Sequence, residues 1–133
     1  MTIKPGYVAD ANALYWYLIH DKKLSAKARE IFHAAERGET QIIISVIALA
    51  ELYYIQQKKP MPQDFATIYE DLKSKPYFEF VAFHPGDVLD FAKDSPVPEM
   101  HDRIIAGLAR RLDAPLITID PMIAASGLVE IVW

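Results

Sequence analysis

The chain contains no cysteine. Disulfides, thiolate zinc sites and a cysteine nucleophile are therefore excluded, which fits a reducing compartment. It also lacks a long hydrophobic run. The longest apolar stretch, Ile42 to Ile55, is interrupted by Ser45 and Glu51 and falls short of the roughly 20 residues a membrane span needs. The opening Met1-Thr2-Ile3-Lys4-Pro5-Gly6 reaches an acid at Asp10 before an apolar stretch of signal-peptide length can develop. The expected location is therefore the cytoplasm, away from membranes. Positive charge is in deficit, with 14 Lys and Arg against 18 Asp and Glu, a net charge of −4. That balance counts against a simple electrostatic nucleic-acid binder, although an acidic protein that reaches phosphate through bound cations escapes the objection.

What is present is a hydrophobic fraction of 52% in 133 residues, enough for one real core and not for two. No segment combines low hydrophobicity with high net charge, so a single folded domain over residues 1–133 is expected. Tyr7-Val8-Ala9 reads as a strand closing at Asp10, followed by a helix from Asn12 to Ile19. Ser25 is placed to cap an amphipathic helix that stops at Gly38. Gln41 to Ser45 is a β-branched strand, and the helix beyond it ends at Lys58-Lys59-Pro60-Met61-Pro62, where two prolines force a turn. A helix over about 63–73, a strand at Phe78–Ala82, a short helix from Pro85 or Gly86 to Phe91 and a proline loop at 95–99 follow. Met100 to Leu112 is helical by the spacing of Ile104, Ile105, Leu108 and Leu112. Pro115 to Ile119 is a strand ending at Asp120, and Leu128 to Trp133 makes the last. Strands alternating with helices imply an α/β fold with a mostly parallel sheet covered on both faces.

Four carboxylates, Asp10, Glu51, Asp102 and Asp120, fall within or at the ends of apolar segments. A buried carboxylate without a partner costs several kcal/mol, on the order of more than a surface ion pair returns, so it pairs, protonates or binds a metal. Glu51 is the sharpest case, because the run around it holds no Lys or Arg. Singly, Asp10 and Asp120 can be helix N-caps, the latter with Pro121 at the first helical position, and Asp102 can complement a helix dipole. In a parallel sheet, ligands bind at the carboxyl ends of the strands, where all four acids can meet. Such a set of hard oxygen donors suits Mg²⁺ or Mn²⁺. With no Cys and histidines only at 20, 33, 84 and 101, zinc is disfavoured, and His101 reads as a solvated or packing residue.

Three segments carry a family resemblance: Tyr7-Val8-Ala9-Asp10-Ala11-Asn12-Ala13-Leu14, Ser45-Val46-Ile47-Ala48-Leu49-Ala50-Glu51-Leu52, and Pro98 to Ala106 continuing through Ala114 to Asp120. In order and spacing they resemble the PIN-domain ribonucleases, and within these the VapC-type toxins of toxin–antitoxin pairs. The resemblance implies a three-layer α/β/α fold and an acidic quartet of Asp10, Glu51, Asp102 and Asp120 holding Mg²⁺ or Mn²⁺. Asn12, Ser45 and Thr118 fall where such proteins keep polar residues that orient ligands, water or phosphate. It further implies RNA hydrolysis, a VapB-type antitoxin and a homodimer. The chain departs from the family pattern at Ala11, where Thr or Ser is usual, at Gly107, where Ala is common, and at Asp113, where Gly often stands.

For substrate contact the available cations are Arg103, Arg110, Arg111, Lys22, Lys23, Lys58 and Lys59, each weighed against an ordinary surface charge. Tyr15-Trp16-Tyr17 and Tyr53-Tyr54 read as core rather than as base-stacking platforms, and their density near Asp10 and Glu51 leaves room for an apolar groove that binds a partner helix. The competing functions are an RNA-processing nuclease without an antitoxin, a non-catalytic PIN-like interaction module, and phosphoryl transfer through an aspartyl intermediate at Asp10. The last is disfavoured by Asn12, where haloacid-dehalogenase-like phosphatases carry a second Asp.

Overall fold

A computed structural model of the chain describes residues 6–59 and 61–133; residues 1–5, the start of the N-terminal stretch read for a signal, and Pro60, one of the two turn prolines, lie outside them. The elements run β1 (Gly6–Ala9), α1 (Ala11–Leu18), α2 (Ala26–Glu36), β2 (Gln41–Ser45), α3 (Val46–Lys58), α4 (Phe65–Ser74) and β3 (Phe78–Val81). A 3₁₀ segment (Pro85–Ala92), α5 (Met100–Leu112), β4 (Leu116–Ile117), α6 (Pro121–Ser126) and β5 (Ile131–Val132) complete the chain. Capping by short polar side chains fixes most helix starts: Asp10, Ser25, Ser45, Asp64 and Asp120 each accept a backbone N–H of the first turn.

The five strands form one sheet in the order β3-β2-β1-β4-β5, with every pairing parallel. β1 lies at its centre, in register with β2 through Val8 and Ile43 and with β4 through Val8 and Leu116. From β1 the chain builds outward to β2 and β3, then returns to add β4 and β5 on the other side. The order therefore reverses between β1 and β4, the switch point at which open parallel sheets form a crevice beyond the carboxyl ends of their strands. The core is continuous across sheet and helices: Leu14, Phe32, Ile42, Ile44, Leu52, Ile68, Leu72, Ile105, Leu116, Ile117 and Ile123 are all fully buried. The architecture is the three-layer α/β/α fold expected.

Several local details differ from the sequence reading. β4 and β5 are two-residue strands, shorter than the apolar stretches Pro115–Ile119 and Leu128–Trp133. Pro115 offers no N–H to a ladder, and beyond Thr118 the N–H of Asp120 donates to the Thr118 hydroxyl oxygen (3.0 Å) rather than to a neighbouring strand. The segment after Pro85 winds as a 3₁₀ helix and buries none of its residues. α3, apolar on nearly every face, buries only Ala48 and Leu52, leaving Tyr53 and Tyr54 at the surface.

Two departures from the family pattern have a visible physical cause. Asp113 ends α5 with φ 51° and ψ 43°, the left-handed geometry that glycine adopts most cheaply and that Asn and Asp tolerate. Gly107 faces the carboxylate of Asp94, and a Cβ there would stand 2.6 Å from Asp94 Oδ2. Asp94 is itself only 1% exposed and is neutralised by Arg110, whose Nε donates to Oδ1 at 2.6 Å and Nη2 to Oδ2 at 3.3 Å.

Candidate active site

The crevice at the switch point is a cavity of about 190 Å³ lined by Asp10, Ala11, Asn12, Glu51, Asp102, Ile119, Asp120 and Pro121. Four remote parts of the sequence thus bring their acids to one place. Asp10 closes β1 and caps α1, its Oδ1 accepting from Ala13 N at 2.8 Å. Asp120 caps α6, accepting from Met122 N at 2.8 Å and Ile123 N at 3.4 Å. Both are therefore caps and cavity walls at once, because a cap engages a single carboxylate oxygen. Glu51 is reached from the second turn of α3 and is partly rather than fully buried. Asp102 sits in the first turn of α5.

Two supporting contacts come from outside the quartet. The Thr118 side chain is completely buried at the end of β4, hydrogen-bonded to the Asp10 carboxylate and accepting from the Asp120 N–H. It therefore ties the two strand-end acids together. Glu99, which sequence reasoning passed over, is the N-cap of α5: its Oε2 accepts from Asp102 N at 2.8 Å, and its Oε1 lies 2.6 Å from His101 Nδ1. Its position just before a helix, after Pro98, was the available signal, masked because glutamate is not among the usual N-cap residues. Ser45 caps α3 through Ile47 N (3.2 Å) and does not line the cavity, whereas Asn12 does and is exposed.

Electrostatically the imidazole of His101 is the group that opposes the acids of the cavity. Among the described residues no Lys or Arg pairs with any of the four acids. Burial raises the carboxyl of Asp10 above the ordinary aspartate range, against hydrogen bonds from Thr118 and Ala13 that lower it. Glu51 is raised, first by burial and then by Glu99 and Asp10, with His101 opposing. Asp102 is pushed up to about 7 by burial, the charge of Asp120 and a side-chain hydrogen bond to Asp120. Such a bond between two carboxyls requires that one keep its proton. Among the described residues no three acid or histidine side chains are gathered closely enough to form a ready-made cage for an ion. The donor set nevertheless fits a hard divalent ion, being all oxygen, anionic and free of competing ammonium or guanidinium groups.

Four of the seven candidate cations for substrate contact are engaged with other groups, as ordinary structural charges. Arg110 and Arg111 pair with Asp87, Asp90 and Asp94, which clamps the 3₁₀ segment to α5. Arg103 donates to the carbonyls of Val97 (2.7 Å) and Phe91 (3.4 Å). Lys59 lies over the ring of Tyr15, which is itself core.

Residues 7–126 match the family model of the PIN domain. The chain belongs to the PIN-domain family. Solved structures of similar fold include VapBC2 from Rickettsia felis bound to a DNA fragment from their promoter, with 18% identity over 96% of this chain and 97% of that one and a TM-score of 0.67. FitAcB from Neisseria gonorrhoeae aligns over 94% and 95% at 16% identity, TM-score 0.67. PAE2754 from Pyrobaculum aerophilum aligns over 96% and 83% at 19% identity, TM-score 0.60. At these identities the likeness is one of fold. No protein of curated function matches the chain in sequence.

Proposed function

We propose that this PIN domain is a metal-dependent endoribonuclease and the toxin of a VapBC-like toxin–antitoxin pair. The observation that carries the reading is the meeting of Asp10, Glu51, Asp102 and Asp120 in one cavity, with no Lys or Arg paired to any of them among the described residues. Folded protein keeps such a set at a cost in stability, and a divalent cation is the ligand that relieves it. When bound, Mg²⁺ or Mn²⁺ supplies Lewis-acid stabilisation of a phosphodiester and lowers the pKa of water. Asp10, Glu51 and Asp102 would hold the ion. Asp120, fixed by its cap and by Thr118, would serve as an outer ligand or orient the attacking water. Asn12, exposed at the cavity wall, offers its side-chain amide to a phosphate oxygen.

Two partners belong to the proposal. The solved complexes VapBC2 and FitAcB support a VapB-type antitoxin, and the exposed Val46, Tyr53 and Tyr54 of α3 support apolar contacts with that antitoxin or a second copy of the chain. All of this takes place in the cytoplasm, where RNA and antitoxin meet. The test compares wild type with Asp10→Asn on structured and single-stranded RNAs in Mg²⁺, Mn²⁺ or EDTA. Cleavage by wild type alone, abolished by EDTA, is expected; metal-dependent cleavage that survives Asp10→Asn refutes the assignment. Growth arrest on expression, relieved by Asp10→Asn, is expected of a toxin, whereas cleavage without arrest points to RNA processing.

A further inference from the structure

The end of the sheet opposite the acidic crevice gathers helix C-termini. α1 runs back from the carboxyl end of β1, and α2 and α4 finish just before β2 and β3 begin. The last carbonyls of a helix carry partial negative charge, which a nearby cation offsets. α3, α4 and α5 supply their own, with Lys58, Lys73, Arg110 and Arg111 in their last turns. α1 has no basic residue there and α2 has only His33, while Arg37, just beyond α2, is spent on Glu30 and Glu39.

Between these C-termini lies a cavity of about 160 Å³ whose wall includes the aromatic rings of Tyr17, Tyr77 and Phe78, the ion pair of Asp71 and Lys75, and His20. The rings touch in sequence: Tyr17 meets Phe78 edge-on at 6.2 Å between centroids, and Tyr77 meets Phe78 at 4.8 Å. Tyr17 is held in place, stacked on Phe32 at 4.2 Å, with its hydroxyl donating to Glu36 and a side-chain hydrogen bond to Tyr77. Tyr77 and Glu36 also border a second cavity of about 100 Å³. Aromatic faces attract cations, as do the helix ends and the carboxylates of Asp71 and Glu36. The opposing charge is Lys75, whose Nζ lies 3.8 Å from Asp71 with both side chains open to solvent, a pairing that a competing cation displaces at little cost. The space is smaller than the roughly 300 Å³ at which pockets for drug-sized ligands begin. A bare metal ion would need a cage of oxygen ligands, and among the described residues no three acid or histidine side chains form one.

We propose that this cavity binds a small organic cation, an alkylammonium or guanidinium group, against the rings of Tyr17, Tyr77 and Phe78 with Asp71 as its counter-ion. The site is independent of the nuclease reading. The test is calorimetric titration of the protein in saturating Mg²⁺, which occupies the acidic crevice, with agmatine and with the blocked peptide acetyl-Gly-Arg-Gly-amide; Tm is read on the same samples. Saturable binding of at least one probe is expected, weakened about fivefold in Tyr77→Leu and retained in Tyr77→Phe. Lys75→Met, which removes the competing ammonium, should tighten it about threefold, and Asp10→Asn should leave it unchanged. Tighter binding of agmatine assigns the site to a free amine, and tighter binding of the peptide assigns it to a side chain of a protein partner. Absence of saturable binding by either probe overturns the proposal. So does equal affinity in wild type and Tyr77→Leu, which places the cation on surface charge alone, or loss of binding in Asp10→Asn, which places it in the crevice. If Tyr77→Leu lowers Tm, Lys75→Met decides, and an affinity unchanged or reduced in that variant overturns the proposal.

Discussion

Substituting Gly107 with alanine should destabilise the protein, against the general rule for helix interiors. In the middle of a helix, Gly→Ala normally gains about 1 kcal/mol. Here the new Cβ would sit 2.6 Å from Asp94 Oδ2, about 0.8 Å inside the 3.4 Å limit of ordinary contact. Asp94 cannot simply swing away, because it is 1% exposed and held by two bonds from Arg110. Breaking a buried pair costs on the order of 3–5 kcal/mol. Arg110 is 26% exposed and also lies 3.6 Å from Asp90, which places the loss near the lower bound, roughly 3 kcal/mol. The net expectation for Gly107→Ala is a destabilisation of about 2 kcal/mol. In an Asp94→Ala background the obstacle is gone and the same substitution should stabilise by about 1 kcal/mol, a coupling of about 3 kcal/mol, at the upper end for residues in contact. Urea titrations of the four proteins, followed by far-UV circular dichroism, measure the cycle. A Gly107→Ala effect of the same size and sign in both backgrounds would refute the argument.

Other consequences are open to equally direct measurement. Asp113→Gly should raise stability by about 0.5–1 kcal/mol, since it relieves a left-handed residue; a drop in the urea midpoint would show that the Asp113 side chain contributes more than its backbone strain costs. Asp102 has a folded-state pKa near 7, above the ordinary value of 3.8, so the native protein holds more protons than the unfolded chain between these values, and its stability falls as pH rises through that window. Asp102→Asn should therefore have a higher metal-free Tm than wild type at pH 8, with the gap closing towards pH 4; a gap constant with pH would contradict the assignment. Because the ion must displace that proton, the Tm increase produced by Mn²⁺ should be larger at pH 8 than at pH 6. With no free arginine at the cavity, raising monovalent salt from 50 to 200 mM at constant Mn²⁺ should change RNA KM by no more than about threefold, the factor for a single neutralised phosphate; a change of tenfold or more would show that further cations hold the backbone.

Much of the fold was legible because its signals are local. The β-branched run Gln41–Ser45, the spacing of Ile104, Ile105 and Leu108, and the caps at Asp10, Ser25 and Asp120 each specify an element without reference to the rest of the chain. β4 and β5 were overestimated because apolarity marks burial, while strand length depends on pairing: Val129 and Ile119 are apolar yet unpaired. Tyr53 and Tyr54 misled for a related reason, since nothing within α3 tells an exposed aromatic from a core one. The quartet was visible as acids in apolar company. Asp94, the most deeply buried carboxylate, was not, because its partner Arg110 lies 16 residues away and its own neighbours, Lys93 and Ser95, read as ordinary loop. Why Gly stands at 107 could be seen only once that carboxylate had been placed against it.

The central position of β1 makes completion of the crevice a long-range event. Asp10 closes β1, whereas Asp120 follows β4, which docks on β1 from the side opposite β2. A fragment that stops before β4 carries Asp10, Glu51 and Asp102 but neither Asp120 nor the Thr118 that ties it to Asp10. The last wall of the pocket is therefore added only when the far side of the sheet assembles.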